Sequence, residues 1–232
     1  MAELNASVLG KLSGSIGDIT FLRRNGKVFI RRRSKSFVPG HDQESVDRRS
    51  RFSLAGKLAR AIYSIPELKA FWQQVTPKGK SAFNIMVQKN IGIVNPDSVS
   101  EITTITPEVG FAINCTSSSI SKDAIVVELA ALGSSAGIDT SREPNVKSAY
   151  ILSLTNPSNS TFPEFLFVSG TSDRKRLALD TALTFDIALS GQDAASVGSY
   201  GEKKLLLALL TLDSENKPVK YSSTLQASGA QD

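Results

Sequence analysis

The chain contains 232 residues, of which 41% are hydrophobic and 21% are charged, and it carries a formal net charge of +5. This balance is typical of a folded globular protein and excludes wholesale disorder. A single cysteine, Cys115, excludes an internal disulfide framework and any metal site built from several cysteines.

No part of the sequence has the pattern of a targeting or membrane segment. The first residues, MAELNASVLGKLSGSIG, lack the basic region and the apolar run of a secretory signal peptide. No window approaches the ~20 apolar residues that a membrane helix needs. We therefore expect a protein that is synthesised in the cytoplasm, without a signal peptide and without a membrane span.

Residues 1–41 are predicted to form a glycine-rich, basic β arm. Apolar residues alternate with polar ones on both sides of the Asn25-Gly26 pair, which is the strongest short signal of a β-hairpin. The preceding glycines allow sharp bends or a close approach of two backbones; they are Gly10, Gly14 and Gly17. Because an isolated hairpin is marginally stable in water, we expect the arm to pack against a partner.

Residues 42–92 are predicted to form a helical unit. A first helix, capped by Asp42 or Ser45, has apolar residues at helical spacing from Ala55 to Ile62. Pro66 suits the first turn of a second helix, which contains Trp72, and a third, shorter helix follows. The stretch GIVNPDSVS at 92–100 has the composition of a linker.

Residues 98–228 are predicted to form an immunoglobulin-like antiparallel β-sandwich, which makes the whole chain α+β and mainly β. Seven short strands separated by polar turns support this prediction. We place them at 109–115, 124–131, 148–155, 164–169, 182–189, 203–212 and 218–226. The linker before them predicts that this segment folds by itself.

The N-terminal motifs resemble a known family. GKLSGSIGDITFLRRNGKVFIRRR, then QESVDRRSRF at the start of a helix, a tryptophan helix and SAFNIMVQKN are similar to an uncharacterised family that is common in Bacteroidetes bacteria and their phages. Its members share a G-x-x-G-x-x-x-F-x-x-x-x-G-x-x-x-x-R core and a β-rich C-terminal half. The loop FVPGHDQ departs from the Pro-Arg-Thr-type run of other members. The phage association implies a structural or assembly role.

The sequence has no catalytic signature. Cys115 lies in an alternating strand pattern and is interpreted as a packing residue, and His41 is interpreted as a solvated loop residue. GSIG lacks the frame and the lysine of a phosphate-binding loop. We therefore predict that the protein is not an enzyme and needs no cofactor or metal.

Charge divides the chain and suggests two functions. Residues 1–95 have a net charge of +11 and residues 96–232 a net charge of −6. One hypothesis is a self-assembling structural protein, a phage virion component or filament subunit, whose β arm binds further copies or other structural subunits. The alternative is a nucleic-acid-binding protein that uses the basic hairpin. Both hypotheses assign contacts to Gly10, Gly14, Gly17, Arg23, Arg24, Lys27, Arg31, Arg32, Arg33 and Lys35.

Overall fold

The computed structural model describes residues 2–4, 13–24, 26–33 and 38–228. The chain folds as two compact units, residues 1–45 and residues 46–232. Each unit is described by itself. Antiparallel β-sheets predominate in the described residues and are accompanied by α-helices, which confirms the predicted mainly β, α+β class.

The first unit is a four-stranded antiparallel sheet with the strand order β1-β4-β3-β2. Its strands are β1 (Ala2–Leu4), β2 (Gly14–Ile16), β3 (Ile19–Arg24) and β4 (Lys27–Arg32). The predicted hairpin is formed by β3 and β4, because Arg24 pairs with Lys27 and leaves a two-residue turn. Gly26 in this turn has a φ of 80°, and Asn25 lies outside the described residues.

A second hairpin, which the sequence interpretation missed, joins β2 to β3. Ile16 pairs with Ile19, so Gly17 and Asp18 form a two-residue turn. Gly17 has a φ of 53° at the first position of this turn, where a type II′ turn requires glycine.

Three helices of the second unit precede its sheets, and a fourth lies between two strands. They are α1 (Gln43–Ser64, which begins just before the unit boundary), α2 (Pro66–Val75), α3 (Ala82–Asn90) and α4 (Gly191–Gly198). Asp42 caps α1 as predicted, since its Oδ2 accepts a hydrogen bond from the Ser45 N–H at 2.9 Å. Trp72 is 1% exposed, and its Nε1–H donates to the Ile105 carbonyl oxygen at 2.9 Å.

Two antiparallel sheets complete the second unit. The six-stranded sheet contains β7 (Asn145–Pro157), β8 (Phe165–Thr171), β9 (Lys175–Arg176), β11 (Tyr200–Leu212), β12 (Pro218–Tyr221) and β13 (Leu225–Ser228). The three-stranded sheet contains β5 (Cys115–Ile120), β6 (Ala124–Leu129) and β10 (Leu183–Ala188). The long pair β7–β11 forms the centre of the larger sheet, with β8 at one edge.

Both faces of the six-stranded sheet are buried. On β11, Leu206 and Leu210 pack with residues of α1, α2 and α3 in one core, whereas Leu205 and Leu207 pack with the three-stranded sheet in a second core. The second unit therefore has three layers: helices, the six-stranded sheet and the three-stranded sheet. Burial of both faces explains why β11 has a continuous apolar sequence instead of an alternating one.

The shared helix–sheet core bears on the predicted domain boundaries at 1–41, 42–92 and 98–228. The helices and the six-stranded sheet belong to one compact unit. The division of that unit at residues 92–98 stays a prediction, and the shared core leads us to expect that the sheet needs the helices to fold.

The strand predicted at 109–115 is displaced along the chain. Phe111 forms only an isolated bridge with Ser222, and the strand begins at Cys115. Its sequence, CTSSSI, is rich in serine because it forms an edge of the three-stranded sheet with one face in solvent.

Candidate assembly and nucleic-acid interface

The first unit brings most of the predicted contact residues into one sheet. Gly14 lies in β2, Gly17 in the following turn, Arg23 and Arg24 in β3, Lys27, Arg31 and Arg32 in β4, and Arg33 directly after β4. Gly10 and Lys35 lie outside the described residues. Both Gly14 and Gly17 have a positive φ, and no atom of the described residues lies within 4 Å of a Cβ built at either position. Backbone conformation therefore favours glycine at both positions.

The two faces of this sheet differ in polarity. Directly paired residues lie on the same face and successive residues alternate, so the register assigns each side chain to a face. One face, called the apolar face below, contains Ile16, Ile19, Phe21, Val28 and Ile30. The opposite face, called the basic face, contains Ser15, Thr20, Leu22, Lys27, Phe29 and Arg31. The Ser15 and Thr20 hydroxyls lie 3.1 Å apart on the basic face.

The apolar face is exposed to solvent to an unusual degree. Ile16 is 67% exposed and Ile19 is 45% exposed, and the other three apolar residues are only half-buried. None of the residues 13–23, 26–33 and 38–45 is buried. Apolar clusters on a protein surface are typical of interaction sites, so this face is the candidate site.

Arginines frame the apolar face at its two ends. Arg23 pairs with Val28 at one end, and Arg32 pairs with Ile19 at the other; both side chains are exposed. A cationic frame around an apolar centre favours a partner surface that is itself apolar and ringed by carboxylates.

The edges of this sheet are poorly suited to strand addition. Among the described residues, β1 pairs with Val28–Ile30 of β4, and β2 pairs with Ile19–Phe21 of β3. The segments that have no described strand neighbour on this side contain Arg23 and Arg24 on β3, and Arg31 and Arg32 on β4. Short edge strands and charged residues are the features that prevent edge pairing. The face of the sheet is therefore a better contact surface than its edge.

The arginines do not form a single track for a phosphate backbone. Arg31 belongs to the basic face, whereas Arg23 and Arg32 belong to the apolar face. Exposed arginines also occur on α1 in the second unit, at positions 48, 49 and 51. Positive charge thus occurs on both faces of the first unit's sheet and also on α1 of the second unit, and a dispersed distribution favours non-specific attraction to a polyanion more than groove recognition.

The described residues of the second unit contain few groups that could form a catalytic or metal-binding site. Burial raises the pKa of the Cys115 thiol, which packs at the edge of the core between the two sheets. A cavity of about 370 Å³ near the α2–α3 loop is lined by Tyr63, Lys78 and Lys80 among others, without a carboxylate, histidine or cysteine. No cluster of three metal-ligating side chains occurs in the part of the chain that the structure describes.

The buried carboxylate Glu143 is explained by its partners. It is 3% exposed, and Lys220 Nζ lies 3.0 Å from its Oε1. The Thr211 hydroxyl donates to its Oε2. Both oxygens are thus paired, so Glu143 joins the loop before β7 to β11 and β12 as a structural group.

The sequence contained a signal for the missed part of the interface. In SIGDI, Gly17-Asp18 stands between two isoleucines, and a Gly-Asp pair between apolar residues is typical of a two-residue hairpin. A two-residue turn at Gly17-Asp18 makes Ile16 and Ile19 a directly paired couple, which lies on one face of the sheet.

Comparison with known proteins adds no identification. No protein-family model matches this chain, and no curated protein matches it. Its resemblance to the Bacteroidetes and phage family stays a prediction. Among the described helices, none is long and apolar enough to cross a membrane.

Proposed function

We propose that this protein is a structural subunit that self-assembles through the apolar face of its N-terminal sheet, as a phage virion component or a filament subunit. The observation that carries the proposal is the exposure of Ile16 and Ile19 in a sheet where none of the residues 13–23 and 26–33 is buried. Contact with a second copy would remove this apolar surface from water at a gain of about 25 cal/mol per Å².

Charge complementarity favours a second copy of the chain as the occupant. The apolar face has an arginine frame, and residues 96–232 have a net charge of −6. Within that acidic half, the outer face of the three-stranded sheet contains half-buried Val126 beside the exposed carboxylates of Glu128 and Asp186. Packing of one copy's N-terminal sheet on this surface of the next copy is a heterologous contact, and heterologous contacts can continue into filaments.

A pair of matched variants tests the proposal. Ile16→Glu with Ile19→Glu adds two negative charges to the apolar face. Ser15→Glu with Thr20→Glu adds the same charge to the neighbouring cross-strand pair on the basic face. All four side chains are at least partly exposed, so neither variant disturbs a buried core.

Sedimentation velocity over a wide range of protein concentrations is the measurement. We expect the wild type and the Ser15/Thr20 variant to form large species as concentration rises, and the Ile16/Ile19 variant to lose this association by about tenfold or more. A wild type that stays monomeric at every concentration would contradict the proposal, as would equal association of the two variants.

Nucleic-acid binding is the second candidate function, and the three consecutive exposed arginines at positions 31, 32 and 33 favour it. Substitution of all three by alanine should weaken binding to a DNA duplex and reduce the slope of log affinity against log salt by about 0.9 for each phosphate that is no longer neutralised. Under this function both glutamate variants weaken duplex binding equally, because they change the charge equally. Tight, salt-sensitive duplex binding by a monomer would favour this candidate over assembly.

We further propose that residues 98–228 are an immunoglobulin-like sandwich in their strand arrangement. Two antiparallel sheets that share one core support this proposal. The six-stranded sheet departs from the usual arrangement because helices cover its other face. An experimental structure, compared with immunoglobulin-like folds by strand order, tests this assignment.

A further inference from the structure

A second contact surface is suggested by β8, an edge strand of the six-stranded sheet. β8 pairs with β7 on one side, and no described strand pairs with its other side. Its sequence, FLFVSGT, contains no charged residue and no proline. Uncharged edge strands of this length invite pairing with another chain, which is why most proteins protect them.

Most other edges in the second unit have features that block pairing. The edge strand β5 of the three-stranded sheet is uncharged, but its register with β6 is shifted between Cys115 and Ser117. β12 contains Pro218 and Lys220, and its register with β11 is shifted. On β10, Lys175 donates a hydrogen bond to the Thr184 carbonyl oxygen, and the strand includes Asp186. Proline, charge and irregular register all block strand addition.

β13, which pairs with β11 as β12 does, is also an edge strand of the six-stranded sheet, and a loop covers it. The Gln226 side-chain amide donates to the carbonyl oxygens of Ser100 and Thr103, at 3.0 and 2.9 Å. Against this background the unprotected edge of β8 stands out as the place where the sheet can be extended.

The hydrogen-bond pattern shows which backbone groups of β8 face outward. The Ser172 N–H donates to the Ser148 carbonyl oxygen at 2.9 Å, so this pair is a hydrogen-bonded one. Alternation along an antiparallel ladder then directs the N–H and C=O groups of Phe165, Phe167, Ser169 and Thr171 away from β7. One of these outward carbonyls, that of Phe165, accepts a hydrogen bond from Lys57 Nζ at 3.4 Å.

We propose that β8 pairs in antiparallel fashion with β8 of a second copy, about a two-fold axis through Ser169. This inference rests on the proposed self-assembly of the chain and adds a second, distinct contact to it. In this register all three remaining outward residues find partners: Ser169 meets Ser169, and Phe167 meets Thr171 of the second copy. Val168 then lies opposite Gly170 of the second copy, next to the Tyr150 side chain that fills the space at this glycine.

Charge supports this register. Continued beyond the strand ends, it places Glu164 opposite Arg174 of the second copy. It also places Phe165, whose carbonyl is bound by Lys57, opposite Asp173 of the second copy. Glu164, Asp173 and Arg174 are all exposed, so opposite charges lie close together at each end of the pair. Because the axis is two-fold, every such contact occurs twice.

A charge-swap experiment tests the pairing in the full chain. Glu164→Arg places two arginines opposite each other at both ends of the interface, whereas Glu164→Arg with Arg174→Glu restores opposite charges at unchanged net charge. Made in the Ile16→Glu, Ile19→Glu background, these variants report on β8 without the contribution of the apolar face. We expect a residual dimer whose affinity falls about tenfold with Glu164→Arg and recovers with the double swap.

An edge-blocking pair provides a second measurement. Ser169→Pro removes the outward N–H at the axis, a change that edge strands tolerate, and Ser169→Ala keeps it. Both variants lack the hydrogen bond between the Ser169 and Ser64 hydroxyls, which lie 3.0 Å apart, so any difference between them reports on the N–H. We expect the dimer to survive in Ser169→Ala and to be abolished in Ser169→Pro.

Hydrogen exchange gives the direct readout at the amides of Phe167, Ser169 and Thr171. Their protection should rise with protein concentration as the dimer forms. Protection that is independent of concentration would overturn the proposal, since another part of the same chain would then cover the edge. Equal dimerisation of the single and double charge variants would overturn the register. If Ile16→Glu with Ile19→Glu alone abolished association and left no residual dimer, the result would support the apolar-face contact and exclude the β8 contact.

Discussion

Leu206 and Leu207 provide the sharpest test of the three-layer arrangement, because they are neighbours in β11 that face different cores. Both are 0% exposed; one packs with the helices and the other with the three-stranded sheet. Substitution of either leucine by alanine removes three carbon atoms, worth about 2.5 kcal/mol in transfer free energy at ~0.8 kcal/mol per carbon. The residual cavity raises the expected loss of unfolding free energy to about 2–5 kcal/mol for each variant.

Urea unfolding, followed by circular dichroism, measures these losses, with Thr184→Ala on the exposed face of β10 as the control. We expect that control to change the unfolding free energy by less than about 0.5 kcal/mol. In an ordinary two-layer sandwich, one of two successive strand residues faces solvent, so one leucine variant would resemble the control. If Leu206→Ala resembled Thr184→Ala, the helices would not cover this face and the three-layer arrangement would be wrong.

Two further predictions concern the same unit. The isolated segment 98–228 should show no cooperative thermal transition, because it would expose the helix-facing side of its sheet around Leu206; a sharp transition in circular dichroism would contradict the shared core. Gly170→Ala should lower the unfolding free energy by about 1–3 kcal/mol, since a Cβ there would lie 2.7 Å from the Tyr150 hydroxyl oxygen. Gly56→Ala in α1 is its matched control, because no atom of the described residues lies within 4 Å of a Cβ at that position. This control should stabilise the helix by about 0.5–1 kcal/mol. Urea unfolding measures the change in both variants.

Local signals in the sequence predicted the elements that local physics determines. The Asn25-Gly26 pair predicted the β3–β4 hairpin, Asp42 predicted the cap of α1, and Pro66 predicted the start of α2. In each case a few neighbouring atoms decide the conformation, through a positive φ, a side-chain hydrogen bond or a fixed φ. These signals do not depend on which distant residue packs nearby.

The layering of the second unit depends on distant contacts and was not predicted. The run LLLALL at 205–210 indicates a strand buried on both faces, but it does not indicate what covers each face. That answer lies in the apolar stripe of α1, more than 140 residues earlier in the chain. The stretch GIVNPDSVS has the composition of a linker, although Val94 and Val99 from this region belong to the same core as Leu206.

The candidate interface shows the same division between local and distant information. The basic residues of the candidate interface are evident from the sequence alone, and the predicted contacts were based on them. The assignment of Ile16 and Ile19 to one face required the register of β2 on β3, which a one-residue slip would have reversed.

The two proposed contacts differ in symmetry, and this difference determines what kind of assembly they would form together. Pairing of β8 about a two-fold axis closes on itself and stops at two copies. Docking of the apolar face on the acidic half of another copy leaves one free apolar face and one free acidic surface, so it can continue. A chain that has only the first contact ends as a dimer, and one that has only the second forms a ring or a single strand of subunits. The combination forms paired strands, in which the β8 contact sets the thickness and the apolar face sets the growth. Glu164→Arg should therefore thin the assembly without shortening it, whereas Ile16→Glu with Ile19→Glu should shorten it to dimers. Electron microscopy of the two variants separates these outcomes, and an equal effect of both on length would contradict the assignment of separate roles.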